Sequence, residues 1–475
     1  MKIGILLKNL DYVANWELRI IKEIMDAPNL DISLLALDQS STTVRTSNTF
    51  YTKNPLSKIL FKIQCGIERK IVQKEVFTVD RNVLLKQMEQ IPSVKINPHS
   101  KDSSTLIDDK YSELIKLHDL DVIIALGFPD IKGDILNSAR CGVWSLRHGD
   151  DLIDKASPVG FWEITRKEPT VVVTLNQLAQ RSDENILIDK AHFNKHWSLV
   201  KTSDMVLESS VALLIKNLKK LQTGNLPIRQ SLGRNISSLN SPNPFQIIGY
   251  LISFYAQLFR KFLERINTKL FGVRYDCFTL FFGEGDFLNT DRSVLNPVEL
   301  PRNEFWADPF LFCFEDDVYV FFENYPYTTK RGKISCGKLK NGQIIEVQDI
   351  LDLDYHLSYP YIFEEKGDIY LMPESSEKKN LTIYKCLDFP HKWEPFVSAF
   401  DDEFVADAFF HNDKSGQKWL FLNKASAASV PLQNELHIYK VDSLELLNQS
   451  VPHKQNPVII DARTARNGGE IFEHE

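Results

Sequence analysis

Trp306-Ala307-Asp308-Pro309-Phe310 opens a run that ends in Val320-Phe321-Phe322-Glu323, and the phrase returns twice further along the chain. Leu357-Ser358-Tyr359-Pro360-Tyr361 opens a run ending in Leu371-Met372-Pro373-Glu374, and one step of 51 residues carries both Pro309 onto Pro360 and Glu323 onto Glu374. A third copy runs from Val405-Ala406-Asp407-Ala408-Phe409-Phe410 to Trp419-Leu420-Phe421-Leu422, with Asp407 placed 48 residues beyond Tyr359. Short alternating strands that recur every roughly 40–50 residues are the pattern of β-propeller blades. In that architecture the first strand of each copy lines a central axis, so Asp308 and Asp407 are expected to face it. Residues 273–475 are therefore read as an all-β propeller of about four to five blades. Ala465-Arg466-Asn467-Gly468-Gly469-Glu470-Ile471-Phe472 has the look of one more opening strand, yet the chain stops at Glu475. The last blade is either closed by another segment or incomplete.

With 475 residues the chain exceeds one ordinary core, which predicts two or three domains. Hydrophobic residues make up 43% and charged residues 25%, the balance of a folded chain rather than a disordered one. The net charge of −7, without a long basic block, argues against nucleic acid as a partner, since non-specific binding needs a positive field. Cys65, Cys141, Cys277, Cys313, Cys336 and Cys386 are scattered with no CxxC pair, so a reduced, cytoplasmic chain without a zinc site is expected. The apolar stretch after Met1 is too short for a signal peptide and suits a first buried strand.

Residues 1–222 read as an α/β domain. Lys2 to Leu7 is a strand, Tyr12 to Met25 has helical spacing and Ile32 to Leu37 is a second strand, a βαβ opening that predicts a parallel sheet. Residues 40–110 are polar, with one helix around Leu84 to Met88. Asp121 to Gly127 is apolar enough for a strand covered on both faces. Ile131 to Ser138 fits a short helix and Gly142 to Leu146 a strand. Phe161-Trp162-Glu163-Ile164 and Thr170 to Leu175 are expected to extend the sheet, and Asp204 to Leu221 to form an amphipathic helix. Residues 223–272 read as a linker followed by an amphipathic helix. Its apolar residues Ile247, Ile248, Leu251, Ile252, Phe254, Tyr255, Leu258 and Phe259 fit packing between domains. With Arg260, Lys261, Arg265 and Lys269 they also fit a peripheral membrane contact through 245–270. The run is too short and too interrupted to predict a membrane span.

Within the first domain, a buried strand ends in Gly127-Phe128-Pro129, and a second strand leads into Arg147-His148-Gly149-Asp150. Pro158 to Trp162, a further strand and the acidic turn Ser182-Asp183-Glu184-Asn185-Ile186-Leu187 follow. This order resembles the folate-dependent formyltransferases, a family that includes methionyl-tRNA and sugar-nucleotide N-formyltransferases. The resemblance implies a Rossmann-like fold, 10-formyltetrahydrofolate as cofactor and an amine acceptor. A formyl group passes to the amine through a tetrahedral oxyanion, which an Asn amide and an imidazolium stabilise while an Asp orients the His. Counted from Gly142, the family's Asn falls on Ser145 and its His on Arg147, with His148 one place later. The family's Asp falls on Ser182, with Asp183 one place later. A one-residue slip at each turn assigns His148 as general acid/base, Asp183 as its orienting partner and Ser145 as oxyanion donor. Arg147, Asp150 and Trp162 are candidate substrate contacts. Neither GxGxxG nor GxxxxGK[ST] occurs, which argues against dinucleotide and P-loop readings.

The second half resembles the five-bladed propellers of glycoside hydrolase family 43. More closely, Trp306 to Phe310, Val318 to Glu323, Ser358-Tyr359-Pro360, Met372 to Ser375 and Phe389-Pro390 with Trp393 are similar to the N-terminal domain of plant glucosamine inositolphosphorylceramide transferases. The hydrolases need an acid and a base about 5–9 Å apart. Here the second-copy counterpart of Asp308 is Tyr359 and the third is Asp407, so that set is incomplete. Asp308, Tyr359, Glu374 and Asp407 remain as candidate glycan-binding residues. The chain as a whole is expected to transfer a formyl group to an amino sugar, nucleotide-linked, for surface polysaccharide. The alternatives are a non-catalytic carbohydrate-binding protein and a glycosidase-like hydrolase.

Overall fold

The computed structural model describes residues 1–471 except 9, 11–12, 40–53, 73–78, 102–103, 129–130, 150–156, 182–183, 225–229, 232–240, 276, 287 and 428–429. By packing, the chain divides into two compact units. The first holds Met1–Lys261 with Ser426–Asn434 and Ile460–Arg463; the second holds Phe262–Ala425, Glu435–Ile459 and Thr464–Glu475. The two short returning segments count with the first unit through specific bonds. Arg19 Nη2 donates to Ser426 Oγ at 2.8 Å, and the Ala462 N–H donates to the His192 carbonyl at 2.8 Å.

The first unit is built on an eight-stranded sheet. Its strands are β1 (Lys2–Leu7), β2 (Asp31–Asp38), β3 (Ser93–Ile96), β4 (Val122–Ala125), β5 (Val143–His148), β6 (Thr170–Gln177), β7 (Ile186–Asn194) and β8 (Gln230–Ser231). Their order across the sheet is β8-β7-β6-β5-β4-β1-β2-β3. From β3 to β5 the neighbours run parallel, and from β5 to β8 antiparallel. The apolar run of β1 has a direct cause: Ile3, Ile5 and Leu7 enter one core cluster and Leu6 the other, so both faces are covered. Each such side chain stabilises the fold by about 1.5–3 kcal/mol. Gly4 lies between them because a Cβ there would meet Leu120 Cδ1 at 2.6 Å.

One face of the sheet carries α1 (Asn15–Asp26) and the long helix α6 (Leu199–Gln222), whose apolar sides share a core with β1, β5 and β6. Further helices are α2 (Pro55–Ile71), α3 (Arg81–Met88), α4 (Asp109–Lys116), α5 (Phe161–Thr165) and α7 (Pro244–Phe271). Three sequence expectations change here. Residues 40–110 contain the long helix α2 besides α3. Ile131 to Ser138 begins as a short strand and continues as a single 3₁₀ turn. Phe161 to Ile164 forms the helix α5, not a strand, because Gly160, in the left-handed region at φ 83°, turns the chain before it. A four-residue apolar run has no period of its own, and here its burial against α2 and α7 decides its form.

Three sheets, two of four strands and one of five, make up most of the second unit. The strands of the first are Glu304–Phe314, Asp317–Pro326, Lys333–Lys340 and Gln343–Leu351. Those of the second are Ser358–Glu365, Asp368–Glu374, Leu381–Asp388 and Lys392–Ala399. Those of the third are Val405–Asn412, Lys418–Lys424, Glu435–Val441 and Val451–Pro452, with Ile459–Ile460 pairing beside them. Among the described residues there are three such sheets, where the repeat led us to expect four to five blades. Phe281–Phe282 and Asn296–Pro297 make only a two-stranded ribbon ahead of them. The stretch after Thr464, expected to open another blade, forms no strand among its described residues.

The fold makes one buried charge indispensable. Arg19 of α1, 1% exposed, meets Glu208 of α6 at 3.3 Å and its carbonyl at 2.9 Å, and Glu23 at 2.8 Å. Arg19→Met keeps the volume but removes the guanidinium that donates to Glu208 and Ser426. It is expected to cost about 3–5 kcal/mol, read as a lower midpoint in denaturant melts; an unchanged midpoint would show that the pair is dispensable.

Candidate functional site

The three copies converge on one local device. In each opening strand the register with its neighbour slips at the same place: between Ala307 and Phe310, between Ser358 and Tyr361, and between Ala406 and Phe409. The residue inside each bulge sits in the left-handed region: Asp308 at φ 49°, Tyr359 at 45° and Asp407 at 50°. For residues other than glycine this conformation costs on the order of 1–2 kcal/mol. A bulge re-aims a side chain out of the regular pleat, and here three bulges re-aim the equivalent side chains. The partner strands repeat as well, since Ala307 faces Glu323, Ser358 faces Glu374 and Ala406 faces Asn423.

These positions form one connected cluster. The carboxyl of Asp308 accepts from the Tyr359 N–H, and the carboxyl of Glu374 accepts from the Asp407 N–H, so each sheet's acid is held by the next sheet's bulge. Glu374 also donates through its own carboxyl to Asp407, a bond that requires a proton between two acids. Arg466 Nε reaches Asp407 Oδ2 at 2.9 Å. Asn467 Nδ2 donates to the Asp407 carbonyl at 2.8 Å, and the Asn467 N–H donates to Asn423 Oδ1 at 2.9 Å. His356 Nε2 lies 3.4 Å from Glu323 Oε1, while its Nδ1 accepts from the Gly332 N–H at 2.9 Å. Gly332 is required by space: a Cβ there would meet the Leu357 carbonyl at 2.5 Å and Glu323 Oε1 at 2.7 Å. Asp407 and Glu323 are buried, Asp308, Glu374 and His356 are half-buried, and Arg466 is exposed.

Four carboxyls against one guanidinium cannot all ionise together. Burial, then the neighbouring charges of Asp308 and Glu374, pushes Glu323 up to about 8. Burial and Asp407 push Glu374 up to about 8, against the pull of Arg466. Asp308 and Asp407 are raised by burial too, the first opposed by Arg466 and the Tyr359 N–H, the second by Arg466 and Glu374. At neutral pH the cluster therefore holds protons on both glutamates. Among the described residues no group of three His, Cys, Asp or Glu side chains is arranged to hold a metal.

In the first unit, the candidate residues stand as follows. Ser145, Arg147 and His148 lie on β5, paired with Asn176, Thr174 and Val173 of β6. His148 Nε2 is 3.0 Å from Ser210 Oγ, whose own proton goes to the Leu207 carbonyl at 2.7 Å, so the ring donates to α6. Trp16 meets the same ring edge-on at 5.4 Å, and burial lowers the imidazole to about 4, leaving it neutral at pH 7. Asp150, Ser182 and Asp183 lie outside the described residues. Trp162 is buried in the helix α5, its Nε1 bonded to Ser157 Oγ at 3.2 Å, and it packs in the core with Phe161 and Tyr250 instead of lining an opening.

Sequence reasoning missed Arg466, His356 and Glu17. Arg466 was legible in retrospect, since Ala465-Arg466 repeats the step of Ala307-Asp308 and Ala406-Asp407 with the charge reversed. Glu17 stands at the first turn of α1, near Lys8 and Gly127 at the carboxyl ends of β1 and β4. Burial raises it to about 7 against the Ala14 N–H and Lys8. In a parallel sheet this is the point where strand order reverses, a common place for ligands.

A family model described as "Glucosamine inositolphosphorylceramide transferase 1, N-terminal" matches residues 294–475, a segment that includes every member of the acid cluster. The protein named glucosamine inositolphosphorylceramide transferase 1 in Oryza sativa subsp. japonica is 35% identical over 176 residues, 36% of this chain. The chain spans only 23% of that relative's length. Among solved structures, glycinamide ribonucleotide transformylase 1 from Symbiobacterium toebii has 10% identity and a TM-score of 0.34, over 50% of this chain and 94% of its own. A thermostable family-43 glycoside hydrolase has 12% identity and a TM-score of 0.26, over 35% of this chain and 62% of its own.

The proton-holding glutamates set a pH dependence. Unfolded, both ionise near 4.5; folded, near 8. Their contribution to stability is therefore present below about pH 4.5 and is lost as pH rises to about 8. Denaturant midpoints should fall across that window and fall less in Glu323→Gln and Glu374→Gln. Parallel profiles in wild type and variants would contradict the shared-proton arrangement.

Proposed function

We propose that the second unit holds a carbohydrate at the acid cluster, and that the preferred ligand is an amino sugar. The observation that carries this reading is the excess of four carboxyls over one guanidinium, two of them (Asp308 and Asp407) in bulges and two (Glu323 and Glu374) on the partner strands. Carboxylates accept hydrogen bonds from sugar hydroxyls in pairs, and hydrogen bonds to charged groups contribute about 1.5–3 kcal/mol each. A neutral sugar finds acids that must keep their protons. A ligand carrying an ammonium group supplies the missing positive charge and lets a glutamate ionise. The similarity of 294–475 to proteins whose name includes glucosamine supports the same ligand class. On this reading the chain is a transferase-related, carbohydrate-handling protein.

Calorimetry at pH 7 with glucosamine, N-acetylglucosamine and glucose tests the proposal. Glucosamine should bind most tightly, and Asp407→Asn or Asp308→Asn should weaken it by about tenfold or more. Equal affinity for the N-acetylated sugar, or no binding at all, would overturn it. Release of reducing sugar that depends on Asp308 and Asp407 would instead make the site a hydrolase.

Formyl transfer from 10-formyltetrahydrofolate to an amino sugar is the second reading, favoured by a carboxyl titrating near 7 at the switch point of the parallel sheet. His148 is neutral and donates to Ser210, so Glu17 is the titratable group best matched to proton transfer at pH 7. Labelled formyl-folate with a panel of amino sugars should give product that falls by about 10²-fold or more in Glu17→Gln. Absence of turnover in wild type would remove this reading and leave the sugar-holding one intact.

A further inference from the structure

We propose that α2 and α7 of the first unit form a docking surface for an anionic lipid membrane. Each helix buries one side and leaves an apolar stripe exposed on the other. On α7, Ile247, Tyr250 and Phe254 pack inward against Phe61, Cys65, Phe161 and Trp162. Phe245, Ile248, Ile252, Tyr255 and Phe259 repeat at alternating steps of three and four and stay in solvent, Phe245 at 82% and Ile252 at 66% exposure. At about 100° per residue the two stripes point roughly 150° apart. On α2, Ser57, Phe61, Gln64, Cys65 and Glu68 are buried, while Leu56, Ile59 and Ile63 are more than half exposed. Tyr255 of the exposed α7 stripe reaches Gln64 of α2 through its hydroxyl at 3.3 Å, which ties the two helices together.

Charge selects the occupant. The chain carries a net charge of −7, yet α2 bears Lys58, Lys62, Arg69 and Lys70 on its exposed positions. Its one acid, Glu68, is fully buried, bonded to Ser198 Oγ at 2.6 Å and Tyr250 at 2.6 Å. Between Pro244 and Lys261, α7 has no acid and carries Arg260 and Lys261. Exposed apolar stripes beside a local excess of cations are the pattern of helices that lie in a membrane interface. Each lysine or arginine near an anionic surface contributes about 1 kcal/mol. A second copy of the chain is the poorer fit, because a two-fold contact would set the same lysines of both copies together. Among the described residues no helix is long and apolar enough to cross a membrane, so the pair lies on the surface.

The test is co-sedimentation of the full chain with vesicles of phosphatidylcholine alone and of phosphatidylcholine with phosphatidylglycerol. The wild type should bind the anionic vesicles and be released by salt. Phe245→Ser with Ile252→Ser, Ile59→Ser with Ile63→Ser, and Lys58→Glu with Lys62→Glu should each weaken partitioning by about tenfold or more. All replace exposed side chains, so circular dichroism and melting midpoints should match the wild type. Absence of vesicle binding by the wild type, or variants that bind as well as it does, would overturn the proposal. So would a dimer in sedimentation that Phe245→Ser with Ile252→Ser dissolves without changing vesicle binding, which would assign the surface to a second copy.

Discussion

Asp407 is gripped from two sides, by the guanidinium of Arg466 and by the proton that Glu374 lends it, and the second unit is organised around that grip. The acid lies inside a bulge whose left-handed backbone no aspartate would choose unaided. What holds it there is the set of bonds on either side: Asn467 to its carbonyl, Arg466 to its carboxyl and its own N–H to Glu374. Asp308 and Tyr359 repeat the arrangement in the other two sheets, so the strain is paid three times over for one cluster. Purely structural turns would be met more easily by glycine. Strain is concentrated on three equivalent positions, and one of them, Asp407, shares a proton with Glu374.

The two units follow different physical logic. In the first, an apolar, partly parallel sheet is sealed by helices on the strength of area burial, and buried charge is held in pairs such as Arg19 with Glu208. In the second, burial works against four acids and lifts them all, which makes the site responsive to any cation that arrives. Glu17 is the first unit's nearest parallel, a lone carboxyl raised by burial beside a lysine.

Much of this was legible in the amino-acid order, for identifiable reasons. The repeat that aligns Asp308, Tyr359 and Asp407 survives because each bulge needs the same short phrase, and the structure puts the three at one register slip. The β1-α1-β2 opening was readable because full burial on both faces leaves an uninterrupted apolar run. Phe161 to Ile164 was misread because four apolar residues carry no period, and only packing against α2 and α7 makes them helical. The helix α2 hid because its buried side includes the polar Ser57, Gln64 and Glu68 while Leu56, Ile59 and Ile63 face outward among lysines, so its apolar residues keep no single stripe. Arg466 escaped notice because it lies 59 residues from Asp407 in a stretch with no strand of its own. The repeated Ala465-Arg466 step marks its position, but its pairing with Asp407 is tertiary.

Sugar binding at the cluster requires that these acids keep their protons until a cation replaces them. Carbon-13 NMR of the glutamate side-chain carboxyls, followed through a pH titration with and without glucosamine, measures that directly. Two carboxyls, identified by their loss in Glu323→Gln and Glu374→Gln, should titrate near pH 8 in the free chain and move to lower pH when the amino sugar is present. Titration of both near 4.5, with no response to the sugar, would contradict it.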